Sequence, residues 1–275
     1  LSASALVAGV DPVIDDGAGT TSSEMLITAD TGDPVFEILP ADLRGWVQED
    51  YQQGSGRWTV DAAGTSATQT FNGQPTLFYG DFEVSTASFD VMISAVGKLD
   101  DDFIGFVLGF QPGDFSNAGA DYLLIDWRQT DQIGGGVDGL KGLAVSRVTG
   151  VADSQWDLWG HQDGVTELAR AANLGDQGWV NDVEYRFTIQ YSPDRLLIYV
   201  NGQLEFDLAA PADHPFPSGR IGFYNYSQPN VVYSASESQC LRADEGSPLT
   251  LTRNFTYSGN GDALAVSIDW GDGTT

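Results

Sequence analysis

Asp100-Asp101-Asp102 is the densest group of potential ligands in the chain, and it runs straight into Phe103-Ile104-Gly105-Phe106-Val107-Leu108-Gly109-Phe110-Gln111. Carboxylates are hard oxygen donors of the kind that Ca2+ gathers in roughly six to eight positions. If the acids continue the strand, Asp100 and Asp102 project to one side about 7 Å apart, and Asp101 to the other. Two carboxylates could then flank one Ca2+, with loop carbonyls and water completing its shell. Without a cation, three adjoining negative charges repel one another. The plain alternative is a solvated acidic loop that serves solubility.

Trp127, Trp156, Trp159 and His161 form a second candidate group, for ligand binding. An indole face can stack on a sugar ring, although most large aromatics in a β-sandwich are core. Trp127 lies on an alternating strand beside Arg128 and fits the core reading better. Trp156 and Trp159 lie in a polar, Asp-rich loop and are the better platform.

A catalytic constellation is not found. Glu205-Phe206-Asp207 begins the Glu-x-Asp-x-x-Glu pattern that pairs carboxylates in jelly-roll glycosidases, but Ala210 stands where the second Glu should be. His161 and His214 are far apart and outside any H-E-x-x-H, and there is no G-x-S-x-G or P-loop string. The expectation is a non-enzyme.

The elements that must hold these residues read as strands. Val183-Glu184-Tyr185-Arg186-Phe187-Thr188-Ile189-Gln190-Tyr191 alternates with period two. Leu196 to Val200 and Gln203 to Phe206 flank Asn201-Gly202, a two-residue hairpin signal because both turn residues take positive φ. Further strands are expected at 81–96, 103–110, 121–128, 142–149, 219–226 and 231–236. Only Val165 to Asn173 has helical character. Many antiparallel strands without an internal repeat predict an all-β, two-sheet jelly roll.

Composition sets the context. The 30 Asp and 9 Glu against 12 Lys and Arg give a formal net charge of -27. Such a field repels phosphate backbones and anionic lipid, which argues against nucleic acid or a membrane surface as partner. It suits a secreted protein in saline, divalent-rich water. The lone Cys240 permits no intrachain disulfide, and no apolar run reaches the length of a membrane span.

Residues 1–32, rich in Ser, Thr, Gly and Asp, read as a linker or the remnant of an upstream segment, and 33–238 as the sandwich. A new unit starts near 241, where 245–251 reads as a linker feeding a first strand and a second strand is expected at 263–270. Its Asp269-Trp270-Gly271-Asp272-Gly273-Thr274 resembles the motif of PKD-type immunoglobulin-like domains. An immunoglobulin-like sandwich needs about 100 residues, so 241–275 is expected to be a truncated one. The whole chain is expected to be a piece of a larger protein.

Between 33 and 238 several strings occur in order: Phe71-Asn72-Gly73, Gly80-Asp81-Phe82-Glu83-Val84, the acidic run with its strand, Asp126-Trp127-Arg128-Gln129, Gly178-Trp179-Val180, and Arg220-Ile221-Gly222-Phe223-Tyr224-Asn225-Tyr226-Ser227-Gln228. Together they resemble the lectin-like C-terminal domain of thrombospondins. The segment 131–160, with Gly134-Gly135-Gly136, is closer to bacterial exported relatives. The resemblance implies a concanavalin or L-lectin-like jelly roll and Ca2+ at Asp100, Asp101 and Asp102. It also implies an extracellular adhesion module whose partner is a matrix or cell-surface protein or a glycan. Arg-Gly-Asp and the calcium repeats that precede the domain in animal thrombospondins are absent. The alternative is a carbohydrate-binding module attached to a polysaccharide-degrading enzyme.

Overall fold

Period-two patterning becomes two seven-stranded antiparallel sheets in the computed structural model, which describes residues 27–30, 42–98, 100–152, 154–235 and 253–256. The first sheet runs, in spatial order, β12 (Val165–Arg170), β11 (Gly142–Thr149), β8 (Asp121–Arg128), β7 (Phe103–Phe110), β16 (Arg220–Tyr226), β5 (Thr76–Tyr79) and β2 (Val47–Asp50). The second runs β15 (Gln203–Ala209), β14 (Arg195–Val200), β13 (Tyr185–Tyr191), β6 (Ala87–Ala95), β17 (Val231–Ala235), β4 (Ser66–Gln69) and β3 (Trp58–Val60). Asn201 (φ 50°) and Gly202 (φ 79°) turn β14 into β15, as their types predict.

The facing sides share one core. Phe89, Val91 and Ile93 of β6 and Phe187 and Ile189 of β13 belong with Ile104, Phe106 and Leu108 of β7 and Ile125 and Trp127 of β8. Each such large side chain contributes about 1.5–3 kcal/mol by leaving water. The first sheet has a second core on its other side. Phe103, Val107, Phe110, Tyr122, Leu124, Tyr224 and Tyr226 pack there with Leu158 and Trp159. Its cover comprises the helix α1 (Gln155–Gly160) and the hairpin β9 (Gln132–Gly134) and β10 (Val137–Gly139). Strand β7 is therefore buried along its whole length.

Gly109 makes this two-sided burial possible. Strict alternation would send Phe110 to the same side as Leu108. Instead the register slips between Arg220 and Ile221, so that Phe110 pairs with Arg220 while Leu108 pairs with Ile221. Gly109 (φ +77°) is the extra residue of this bulge, and Phe110 turns into the second core. An added Cβ would lie 2.6 Å from the Pro217 carbonyl oxygen. Gly109→Ala is expected to cost about 2 kcal/mol, read as a lowered urea midpoint.

Two expectations are corrected. Val165 to Asn173 is not helical: Val165–Arg170 is the edge strand β12, paired with β11 around an irregularity at Val145/Ser146. Pairing with a buried neighbour outweighs local helix propensity there. The polar loop carrying Trp156 and Trp159 is instead helix α1. Ser154 accepts from the Trp156 N–H, and Asp157 closes a capping box by accepting from the Ser154 N–H at 2.9 Å.

The chain divides into two units, Glu37–Cys240, and Leu1–Phe36 with Leu241–Thr275. In the latter, β1 (Ile27–Asp30) pairs in parallel with β18 (Arg253–Thr256). The linker expected at 245–251, the second strand expected at 263–270 and the PKD-like string lie outside the described residues.

Candidate metal centre

Asp100, Asp101 and Asp102 end just before β7, and one carboxylate oxygen from each lies within 4.8 Å of the other two. Asp101 therefore does not point away, as continued strand geometry would require. The three acids precede the ladder and are held by loops. The Asp102 N–H donates to Gln228 Oε1 at 3.1 Å, and its carbonyl accepts from Trp179 Nε1 at 2.9 Å. The Asp101 carbonyl accepts from the Gln129 N–H at 3.2 Å, and its carboxylate accepts from Thr130 Oγ1 and Gln132 Nε2. Asp100 accepts from Asn72 Nδ2, and Asn72 in turn accepts from Ser227 Oγ at 3.0 Å. Strings scattered from Asn72 to Gln228 thus converge on one cluster.

Arg128 anchors the buried side of the cluster. It is fully buried and places Nη2 2.5 Å from Asp102 Oδ1, while its Nε donates to the Thr130 carbonyl at 2.8 Å. Its guanidinium lies 3.8 Å from the Trp159 ring centroid and 4.7 Å from that of Phe103. Burial pushes the Asp102 carboxyl up to about 6; Arg128 and a hydrogen bond from Ser227 oppose the rise, and Asp100 and Asp101 add to it. The close Arg128 contact favours the ionised acid, but desolvation and two like charges outweigh it.

The donor set fits a hard divalent cation. Ca2+ binds oxygens at about 2.3–2.6 Å, so two of its ligands are separated by no more than about 5 Å, and the three acids meet that limit. Three carboxylates against one guanidinium leave excess negative charge for the ion to neutralise. Asp100, Asp101 and Asp102 would hold it, and it would supply rigidity to the loops that meet there.

The proposed ligand-binding group does not form one exposed surface, although Trp156 and Trp159 touch edge-on. Trp127 is 1% exposed, in the core between the sheets, and donates to the Gln177 carbonyl at 2.7 Å. It is packing, not a platform, because an alternating strand turns it inward. Trp159 is buried beneath α1 against Phe103, Tyr226 and Arg128. His161 is engaged at both ring nitrogens, with Asp126 at 2.9 Å and Glu167 at 3.1 Å. Only Trp156 keeps a half-exposed indole. Glu205, the start of the incomplete glycosidase pattern, is buried and accepts from the Asn173 and Leu174 N–H groups. His214 is exposed and lies 3.8 Å from Asp121. Arg128 was missed as part of the centre; its place in Asp126-Trp127-Arg128-Gln129 was the available signal.

Two seven-stranded antiparallel sheets over one core, with an acid cluster at a strand end, define an all-β two-sheet sandwich. The chain belongs to the thrombospondin C-terminal region family, which it matches over residues 53–242. It is 26% identical to thrombospondin-4 of Bos taurus over 199 residues, 66% of this chain and 20% of that one. Against thrombospondin-2 of Gallus gallus it is 24% identical over 222 residues, 76% of this chain and 18% of that one. The chain thus spans about a fifth of the length of these relatives. Similar folds include the carbohydrate binding module CBM66 from Bacillus subtilis, with 12% identity and a TM-score of 0.47 over 73% of this chain and 97% of that one. The potassium-bound Emp46p carbohydrate recognition domain has 13% identity and a TM-score of 0.43 over 70% of this chain and 86% of that one. Thrombospondin C-terminal domains bind calcium and are non-catalytic, and thrombospondins are extracellular. Among the described residues no helix is long and apolar enough to cross a membrane.

Proposed function

We propose that this chain is a calcium-binding, non-catalytic adhesion module of a larger extracellular protein. The observation that carries the reading is the convergence of three carboxylate oxygens within 4.8 Å, held by loops from four parts of the chain. Calcium there fixes the 69–74, 129–132 and 227–230 loops at one end of the sandwich, and the stiffened end engages a matrix or cell-surface partner. The PKD-like string after residue 241 supports a place beside further surface domains of a bacterial exported protein.

Calorimetric titration of the 275-residue chain with calcium chloride tests this. Saturable binding is expected, with Asp100→Asn plus Asp102→Asn weakening it by about 100-fold. Affinity should also fall as pH drops through about 6, where Asp102 takes up a proton that competes with the cation. No heat of binding, or full binding by the double variant, would refute the assignment.

A further inference from the structure

We propose that an open groove of about 580 Å³ in the 37–240 unit, bordered by Trp156, is a binding site for an uncharged oligosaccharide. The groove is distinct from the acid cluster, and none of its lining residues belongs to that centre. Its volume lies within the range of small-molecule sites.

The lining decides the chemistry. Trp156, Tyr51 and Phe115 supply aromatic surface, and Gln52, Gln74 and Gln155 supply amides that both donate and accept. None of the ten described lining residues is charged, in a chain with 39 acids and 12 bases. Among the described lining residues an anionic ligand would find no cation, and it would meet a strongly negative protein; a cationic one would find no carboxylate among them. Pyranose rings meet this surface with C–H faces for the indole and hydroxyls for the amides.

The groove is also built in advance. Trp156 rests on the β9–β10 hairpin, where a Cβ at Gly134 would lie 2.5 Å from its ring, so glycine permits the close seat. Its ring meets Trp159 edge-on at 5.6 Å between centroids. Tyr51 meets Phe115 edge-on at 5.8 Å and donates its hydroxyl to the Ala152 carbonyl at 3.1 Å. Gln155 Oε1 accepts from the Tyr226 hydroxyl at 3.1 Å, which leaves its amide N–H groups to the groove. The amides of Gln52 and Gln74 have no hydrogen-bond partner among the described residues. A platform held this way loses little entropy when a ligand docks.

The test is a glycan array probed with the full chain, followed by titration of neutral linear oligosaccharides in EDTA and in calcium chloride. Binding is expected in both, with the Trp156 indole N–H resonance shifting while those of Trp127 and Trp179 stay in place. Trp156→Ala is expected to weaken affinity by about tenfold or more. Because that change also loosens the contact with Trp159, Gln52→Ala with Gln74→Ala serves as a second variant outside the core, expected to lose about fivefold. Binding only to charged glycans or to peptides would overturn the proposal, as would affinity unchanged in both variants or a blank array with folded protein. Binding that vanishes in EDTA would move the site to the acid cluster and overturn it as well.

Discussion

Arg128→Met is expected to lower the unfolding free energy of the calcium-free protein by about 3–5 kcal/mol. Methionine keeps the apolar contacts with Phe103 and Trp159 but removes the one cation bound to Asp102, which is 3% exposed. A buried carboxylate beside two others is then left without a counter-charge. Calcium should change the outcome. In the parent chain the ion meets three carboxylates and a guanidinium; in the variant it meets the carboxylates alone, so its attraction to the site rises. Saturating calcium should therefore stabilise Arg128→Met by more than it stabilises the parent, and the stability gap should narrow. Urea denaturation of both proteins in EDTA and in calcium chloride measures the two gaps. Equal gaps would mean that Arg128 is a packing residue with no electrostatic link to a cation.

The sandwich was legible because its strands alternate. Tyr185, Phe187 and Ile189 could be assigned to one side from spacing alone, and they do pack with the core between the sheets. The acid cluster was legible as composition, since three adjacent carboxylates before an apolar strand are unusual. Its shape was not legible. Which way Asp101 points depends on Thr130 and Gln132, which reach it from 29 and 31 residues away, and no local pattern carries that contact.

Helix α1 is six residues long, too short for periodicity to register, and its only local sign is the Ser154 to Asp157 capping box. The error at Val165 to Asn173 has the opposite cause. Glu167, Leu168, Ala169 and Arg170 are good helix formers, but β11 offers a buried edge to pair with. The groove at Trp156 is assembled from the turn after β2, Gln74, the turn around Phe115, and the start of α1 with the loop before it, and Tyr51 and Ala152 are 101 residues apart. The sequence showed Trp156 as an aromatic in a polar stretch; what stands opposite it is decided by topology.

The melting temperature is expected to fall by about 6–12 °C as pH rises from about 6.5 to about 9, and His161→Asn should abolish that slope. His161 has a left-handed backbone (φ 49°) at the C-terminus of α1, a conformation that asparagine tolerates, so the substitution removes the imidazole with little backbone cost. Burial alone would depress the imidazolium, but the charges and hydrogen bonds of Asp126 and Glu167 overcome it and carry the pKa to about 9, from 6.5 in the open chain. Arg170, 2.9 Å from Glu167, is the other charged group in the cluster. A raised folded pKa means that the native state binds the extra proton, so its contribution is complete below about pH 6.5 and drains away as pH climbs through 9. The shift corresponds to about 3 kcal/mol for this buried group. Glu167 gives an acid limb of opposite sign. Its carboxyl is held at about 2, chiefly by the His161 hydrogen bond and further by Arg170, so that its contribution is present above its ordinary value of 4.5 and lost as pH falls towards 2. Thermal unfolding across this range, in EDTA to keep the acid cluster free of calcium, should show both limbs, with the raised Asp102 carboxyl adding a loss of stability as pH rises towards about 6, below the His161 limb. The alkaline limb should vanish in His161→Asn and the acid limb should shrink to the share held by Arg170. An alkaline slope that survives the substitution would have to arise elsewhere, since the hydrogen bond between Asp126 and the imidazole is gone.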